Sequence, residues 1–261
     1  MTPLRTLAAT HPVYVYSALF VFAFGACAFV VLQFVSAPYG RHQREGWGPV
    51  IGARLGWVLM EAPSPLCFLA FYVTGDQPLR AASLVLAAFY LVHYVYRAFI
   101  FPFRMRGAKK NKPVVTLLLA VVFNIFNGSL NGFALGSLAP HLSDTSWFAD
   151  PRFIVGALLF WAGWYINHQS DAILRNLRAP GETGYKVPRG GLYRWVTSPN
   201  YFGEVLEWVG FALASWTWAG WAFAFFTFSN LAPRAKQHHQ WYQQKFADYP
   251  PERRALIPWL W

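Results

Sequence analysis

Long apolar segments separated by polar loops account for most of this chain. The longer segments approach the roughly 20 residues that a helix needs to cross a bilayer. Each is expected to be helical, because a backbone inside a membrane must satisfy its hydrogen bonds within one element. The pattern therefore predicts an all-α integral membrane bundle of seven transmembrane helices. The predicted spans cover residues 13–35, 51–73, 81–103, 114–138, 153–170, 201–215 and 220–231.

The composition agrees with a membrane protein. Hydrophobic residues make up 56% of the chain and charged residues only 13%, whereas a soluble domain carries about 25% charged residues. The chain length suits a single multi-pass domain, residues 1–261. Its two cysteines, Cys27 and Cys67, lie in apolar segments without the spacing of a disulfide or metal site. No bound metal is expected.

The positive charge is distributed unevenly between the two sides of the predicted bundle. Of the 22 Lys and Arg residues, 17 lie in the loops 36–50, 104–113 and 171–200 and in the tail from residue 234. Because Lys and Arg accumulate in cytoplasmic loops, we expect the N-terminus outside and the C-terminus in the cytoplasm. The net charge of +11 is explained in this way, and nucleic-acid binding is not expected.

A carboxylate, Glu61, stands in the second span just before Pro63 and Pro65, which should bend or break the helix. Within an apolar segment such a group can serve as a hydrogen-bond or proton donor. The alternative is a structural ion pair with Arg54 or Arg97.

The third span carries His93, Tyr94 and Arg97, and helical spacing puts Tyr94 and Arg97 on one face. A buried tyrosine hydroxyl near a carboxylate can donate to a carbonyl oxygen and stabilise charge that develops there. The alternative is an aromatic residue at the membrane interface beside an Arg that reaches toward water.

The stretch from Gly190 to Ser215 begins as a glycine-rich loop and continues into the sixth span. Asn200 and Glu204 share one helical face, and Glu207 with Trp208 follows one turn later. Charged side chains at membrane depth usually face a cavity, a partner or a ligand. This stretch therefore predicts one wall of a polar site inside the bundle.

Basic residues on the predicted cytoplasmic side lie in the segment 167–194 and in the tail. Arginine side chains suit phosphate groups, and the alternative is a collar of positive charge that contacts lipid headgroups. The sequence contains neither a dinucleotide-binding glycine fingerprint nor a P-loop in a strand–helix context.

At residues 167–215 the sequence closely resembles the C-terminal domain of the steroid 5-alpha reductase family. The resemblance continues through Leu231–Ala235, His238, 246–250 and 254–258. C-terminal parts of this kind also occur in isoprenylcysteine carboxyl methyltransferases, sterol C14 reductases, polyprenol reductases and trans-2-enoyl-CoA reductases. Upstream matches at Tyr39-Gly40-Arg41-His42, at Glu61 with Pro63-Ser64, and at His93-Tyr94 with Arg97 favour the steroid reductase branch, with a bacterial homologue expected.

The resemblance implies a membrane enzyme that uses NADPH to reduce the double bond of a 3-oxo-Δ4-steroid, and we expect it to be a monomer. Residues 1–113 correspond to the substrate and catalytic helices and 114–261 to the NADPH-binding part. Glu61 and Tyr94 match the pair that holds the substrate carbonyl. The matching NADPH positions are Asn167, Asp171, Arg178, Tyr185, Asn200, Glu204, Arg234, His238 and Tyr242, with Arg175 as a weaker candidate. Met60 stands where the family has Gln, which leaves the substrate specificity open.

Other functions remain open at this level. The substrate can be another lipophilic enone or an enoyl thioester, and the C-terminal region also fits a membrane methyltransferase that uses S-adenosylmethionine. A non-catalytic sterol-binding protein is the third alternative. The expected membrane is the bacterial inner membrane, or the endoplasmic reticulum for a eukaryotic chain.

Overall fold

The computed structural model describes residues 1–38, 40–42, 44–105, 111–179, 182 and 184–261. The predicted loop residues Tyr39, Arg106, Lys109 and Lys110 lie outside the described residues. The helices are α1 Leu4–Thr10, α2 Pro12–Phe34, α3 Ala53–Glu61, α4 Pro63–Val73, α5 Ala81–Val95, α6 Phe101–Arg104, α7 Val114–Phe133, α8 Pro151–Asn176, α9 Pro199–Ser215 and α10 Trp218–Lys245. Two short strands, β1 Val50–Gly52 and β2 Asn111–Pro113, pair antiparallel.

This architecture confirms the all-α membrane bundle. Within the described residues, four helical segments are long and apolar enough to cross a membrane: Pro12–Phe34, Ala53–Val73, Ala81–Arg104 and Val114–Leu138. The helices α8, α9 and α10 do not meet that criterion. Only 17 residues form α9, and the C-terminal halves of α8 and α10 are polar. The count of seven spans therefore stays a prediction.

Two helices extend beyond the predicted membrane spans. The helix α8 continues past residue 170 to Asn176, and α10 continues past residue 231 to Lys245 with Pro233 inside it. Residues outside the predicted spans, in the basic segment after residue 170 and in the polar tail, therefore lie on helices. The pattern of apolar residues marks only the part of a helix that contacts lipid or the core, and the polar extensions escaped it.

Glycines allow α8 and α9 to pack with their backbones close together. A Cβ atom on Gly163 would lie 2.3 Å from the Glu207 nitrogen, and one on Gly203 would lie 2.5 Å from the Asn167 nitrogen. Small residues at such positions are typical of helix pairs in membranes. This close approach brings Asn167 on α8 within reach of the polar residues of α9.

A second close contact joins α4 to α7. A Cβ atom on Gly128 would lie 2.3 Å from the Ser64 carbonyl oxygen, and one on Gly132 would lie 2.3 Å from that of Phe68. The same helix carries buried asparagines, of which Asn124 contacts the end of α3 and Asn127 contacts α5. Three of them follow helical spacing: Asn124, Asn127 and Asn131.

The helices deviate from regular geometry next to two of the predicted site residues. The break after Glu61 confirms the expected effect of Pro63, which begins α4 and has no N–H to continue the hydrogen-bond ladder. Arg97 lies in a π-helical turn, Tyr96–Ile100, that joins α5 to α6 just before Pro102. Such turns often occur at functional sites.

The C-terminal tail docks against the loop that precedes α9. The backbone nitrogen of Thr197 donates to the Arg254 carbonyl at 2.8 Å, and that of Arg254 donates to the Trp195 carbonyl at 2.8 Å. The Thr197 hydroxyl also lies 2.7 Å from the Tyr249 hydroxyl. The loop and the tail thus form one surface next to the start of α9.

Candidate active site

Glu61 and Tyr94 meet around a single asparagine of α7. The Tyr94 hydroxyl donates to the Asn124 Oδ1 atom at 3.4 Å, and the Asn124 Nδ2 atom lies 3.5 Å from the Glu61 carboxylate. The same Nδ2 atom donates to the Met60 carbonyl at 2.7 Å, which fixes the amide in place. Tyr94 and Asn124 are buried and Glu61 is half-buried. The two predicted catalytic residues therefore belong to one polar cluster inside the bundle.

Arg97 forms the charged centre of the site. Its guanidinium lies 3.8 Å from the Asp171 carboxylate and 3.6 Å from that of Glu204. Its ion pairs thus reach α8 and α9. The indole of Trp57 lies 4.8 Å from the guanidinium carbon and donates its N–H to the Arg97 carbonyl at 3.1 Å.

Four predicted cofactor residues form one hydrogen-bonded group at the contact of α8 and α9. Asn167 donates to the Asn200 carbonyl at 2.9 Å and lies 3.4 Å from the Glu204 carboxylate. Asn200 in turn donates to the Asp171 carboxylate at 3.1 Å. The expectation that Asn200 and Glu204 share a face is confirmed, because both side chains contact α8: Asn200 contacts Asp171 and Glu204 lies close to Asn167.

A second group lies where the loop before α9 meets the end of α10. The Arg41 guanidinium packs over the rings of Tyr185, at 5.7 Å, and Tyr242, at 4.6 Å. Arg178 donates to the Gly184 carbonyl at 2.9 Å and lies 5.8 Å from the Tyr185 ring. An open pocket of about 610 Å³ borders this group, lined in part by Arg41, Arg44, Trp47 and Tyr185.

Histidines and Tyr201 connect this second group to the interior. The rings of His42 and His238 stack at 5.5 Å, and His238 lies 5.4 Å from the Tyr201 ring. The Arg234 guanidinium lies 5.3 Å from the same tyrosine. Burial, and then the charge of Arg41, lowers the pKa of His42 and holds that of His238 well below its usual range. Both imidazoles are therefore neutral at pH 7.

One predicted residue lies apart from both groups. The Arg175 guanidinium is 3.5 Å from the Tyr96 hydroxyl, whose ring packs at 4.2 Å on His168. Because α8 ends at Asn176, Arg178 leaves the helix while Arg175 stays on it. The remaining predicted cofactor residues lie in the two groups or between them.

The sequence interpretation missed several residues of this site. Asn124 and Asn127 were seen only as polar residues of an apolar helix, although their spacing of three residues already placed them on one face. Arg41 and His42 were recognised as part of the family resemblance but were not predicted to belong to the site. A buried pair was also missed, in which the His93 Nδ1 atom lies 2.8 Å from the Glu207 carboxylate.

An apolar helical bundle with this buried polar interior defines a membrane protein with a candidate site inside the bundle. The model of the 3-oxo-5-alpha-steroid 4-dehydrogenase family matches residues 110–261. The chain is similar to "3-oxo-5-alpha-steroid 4-dehydrogenase 1" of Bos taurus, with 47% identity over 91% of this chain and 93% of the relative. The corresponding protein of Homo sapiens is 46% identical over 91% and 92%. "Steroid 5-alpha-reductase DET2" of Arabidopsis thaliana is 40% identical over 89% and 90%.

The chain belongs to the 3-oxo-5-alpha-steroid 4-dehydrogenase family, whose members are oxidoreductases that act on a CH–CH bond. The resemblance stated from the sequence is thereby confirmed. This assignment favours a reductase over the methyltransferase and the non-catalytic binding protein, because the relatives match nearly the whole chain.

Proposed function

We propose that this protein reduces the Δ4 carbon–carbon double bond of 3-oxo-Δ4-steroids to give 5α-reduced 3-oxosteroids, with NADPH as reductant. The observation that carries this proposal is the convergence of Tyr94 and Glu61 on Asn124, within 3.4 and 3.5 Å. A hydroxyl and a carboxyl group that both approach one side chain can converge on a single carbonyl oxygen that takes its place. The names of the relatives support the same substrate class.

The proposed role of the pair is to stabilise negative charge on the steroid carbonyl oxygen. As the β-carbon of the enone is reduced, electron density moves to that oxygen and an enolate-like charge develops. Donors already in position stabilise the charge without reorganising, and removing one such donor typically slows an enzyme by about 100- to 1,000-fold. Tyr94 acts as one donor, and Glu61 acts as the second in its protonated form. A proton then completes the reduction at the α-carbon.

The residues of the two groups fit a phosphorylated dinucleotide. NADPH supplies a hydride when bound, and the chain has to hold its phosphates, riboses and nicotinamide. Arg41 Nη1 and His42 Nε2 are buried without a hydrogen-bond partner among the described residues, so both can serve a ligand. Arg178 and Arg234 would contact phosphate, and aromatic rings such as Tyr185 and Tyr242 would stack. The amides of Asn167 and Asn200, with Glu204, would meet the nicotinamide end.

The proposed arrangement in the membrane follows from the distribution of charge. The N-terminus lies outside and the basic loops and tail lie in the cytoplasm, so that NADPH enters from the cytoplasm and the steroid enters from the lipid. Residues 1–113 then supply the catalytic side chains, and 114–261 supply most of the cofactor site. The protein acts as a monomer in the bacterial inner membrane, or in the endoplasmic reticulum if the chain is eukaryotic.

A direct assay tests the reaction. Purified protein in lipid nanodiscs is incubated with NADPH and, separately, a 3-oxo-Δ4-steroid, a non-steroidal enone and an enoyl thioester. We expect one NADPH to be oxidised for each 5α-reduced steroid that forms. The product is identified by chromatography and mass spectrometry against standards of both 5-epimers. Reduction of the thioester alone would reassign the substrate, and an absence of NADPH oxidation with every substrate would contradict the proposed reaction.

Substituting Arg178 by Ala should weaken NADPH binding by about tenfold or more, because a charge-assisted contact to phosphate contributes about 1.5–3 kcal/mol. The measurement is NADPH affinity by fluorescence, with turnover at saturating NADPH as the second readout. Arg189→Ala serves as control. Arg189 is exposed, and its ion pair with Asp248, which is also exposed, is long at 3.9 Å. Equal NADPH affinities for the wild type and Arg178→Ala would count against the proposed phosphate contact.

A further inference from the structure

A network of amides and hydroxyls lies directly behind Tyr94. The Nδ2 atom of Asn127 donates to the Tyr94 hydroxyl at 2.9 Å and to the Tyr90 hydroxyl at 3.0 Å. The Asn127 Oδ1 atom accepts from Asn131 Nδ2 at 3.0 Å. All four side chains are at most 3% exposed. The donation from Asn131 fixes which end of the Asn127 amide faces the tyrosines, so Asn127 can only donate to them.

This donation determines the role of the Tyr94 oxygen. A phenol has one proton to donate and can accept through its oxygen. With an amide N–H already directed at the oxygen, the hydroxyl proton has to point elsewhere, and its observed acceptor is Asn124 Oδ1. At 3.4 Å that bond is longer than the usual separation of about 2.5–3.0 Å between hydroxyl and oxygen. The proton is therefore held weakly, on the side where Glu61 also lies.

The network also includes the Ser64 hydroxyl. Tyr90 is paired with the Ser64 hydroxyl at 2.6 Å, and Asn131 donates to the Asn127 carbonyl at 3.0 Å as well as to its side chain. An accepted hydrogen bond also polarises a hydroxyl and strengthens its donation in turn.

We infer that Asn127 is a positioning residue for the reduction proposed above: it occupies the acceptor side of Tyr94 and thereby directs the hydroxyl proton at the substrate carbonyl oxygen. Asn124 holds that proton in the absence of substrate and gives it up to the carbonyl, which takes its place as acceptor. The inference rests on the proposed function, because the carbonyl belongs to that substrate.

A double-mutant cycle tests this role. Turnover of a 3-oxo-Δ4-steroid at saturating NADPH is measured for the wild type, Asn127→Leu, Tyr94→Phe and the double variant. We expect Asn127→Leu alone to lower kcat by about tenfold, as for the loss of one hydrogen bond in a buried network. In the Tyr94→Phe background the same substitution should change kcat by less than about twofold, because no hydroxyl remains to be directed.

Leu130→Ala is the packing control, since Leu130 is buried on the same helix and its side chain offers no hydrogen bond. It should lower the melting temperature, and it should change kcat by the same factor in the wild-type and Tyr94→Phe backgrounds. A tenfold loss from Asn127→Leu in both backgrounds would show that it acts through packing and would overturn the inference.

If Asn127→Leu does not fold, Asn127→Asp is taken through the same cycle. If the wild type itself shows no turnover of the steroid, the proposed reaction is contradicted. That outcome is distinct from a failure of this inference, in which the wild type is active but Asn127→Leu has the same effect in both backgrounds.

Discussion

Replacing Tyr94 by Phe is expected to lower turnover by about 100- to 1,000-fold, the usual cost of removing one donor to a developing oxyanion. The ring is buried against Trp208 and Phe223, at 5.8 and 6.1 Å, and Phe preserves those contacts. The change removes only the oxygen that approaches Asn124 and accepts from Asn127. NADPH affinity should stay within about twofold, because the predicted phosphate contacts lie at Arg41, Arg178 and Arg234. The measurements are steady-state kcat and equilibrium NADPH binding in the same preparation.

Tyr72→Phe is the matched control for this substitution. The Tyr72 hydroxyl is also part of a helix in the bundle, but it donates to the Pro78 carbonyl away from the site. Its loss should leave kcat nearly unchanged. Glu61→Leu, which removes the second proposed donor, should lower kcat comparably to Tyr94→Phe with NADPH still bound. Turnover at the wild-type level in both site variants would remove the basis for the proposed mechanism.

Spacing within a single helix was enough to predict part of this site. Asn200 and Glu204 are four residues apart, and both side chains do contact α8. The proline after Glu61 marked the end of α3 correctly. These features depend on neighbours within one or two helical turns, where helix geometry alone determines which side chains meet. The family resemblance then connected Glu61 to Tyr94 across two helices, which spacing cannot do.

The sequence pattern could not predict contacts between distant segments of the chain. Arg97 lies 74 positions before Asp171 in the chain, and nothing in the local sequence of either indicates that they pair. Their contact depends on the glycine-mediated packing of α8 on α9 and on the π-helical turn at Tyr96–Ile100. Arg41 was missed for the same reason, since its aromatic partners Tyr185 and Tyr242 come from a later loop and from the polar extension of α10.

Arg97→Met is expected to have the largest effect on stability of any single change in the charged cluster. Methionine has a similar length and an apolar character, so the substitution leaves Asp171 and Glu204 buried together without a cation. The side chains of these two residues are only 8% and 15% exposed, and removing one partner from a buried ion pair typically costs about 3–5 kcal/mol. At about 2–4 °C per kcal/mol for a chain of this size, the melting temperature should fall by roughly 10 °C. NADPH affinity should fall as well, because Glu204 and Asn200 belong to the predicted nicotinamide end.

The double variant Arg97→Met with Glu204→Gln separates charge from packing in this cluster. Neutralising one carboxylate relieves the repulsion, so the double variant should melt at a higher temperature than Arg97→Met alone, although Glu204→Gln by itself should destabilise the protein. Arg54→Met provides the comparison, because Arg54 is exposed and lies against Phe103 at 5.6 Å; its melting temperature should change by no more than about 2 °C. If Arg97→Met melts like Arg54→Met, the cluster does not hold α5, α8 and α9 together, and its contribution must be sought in ligand binding alone.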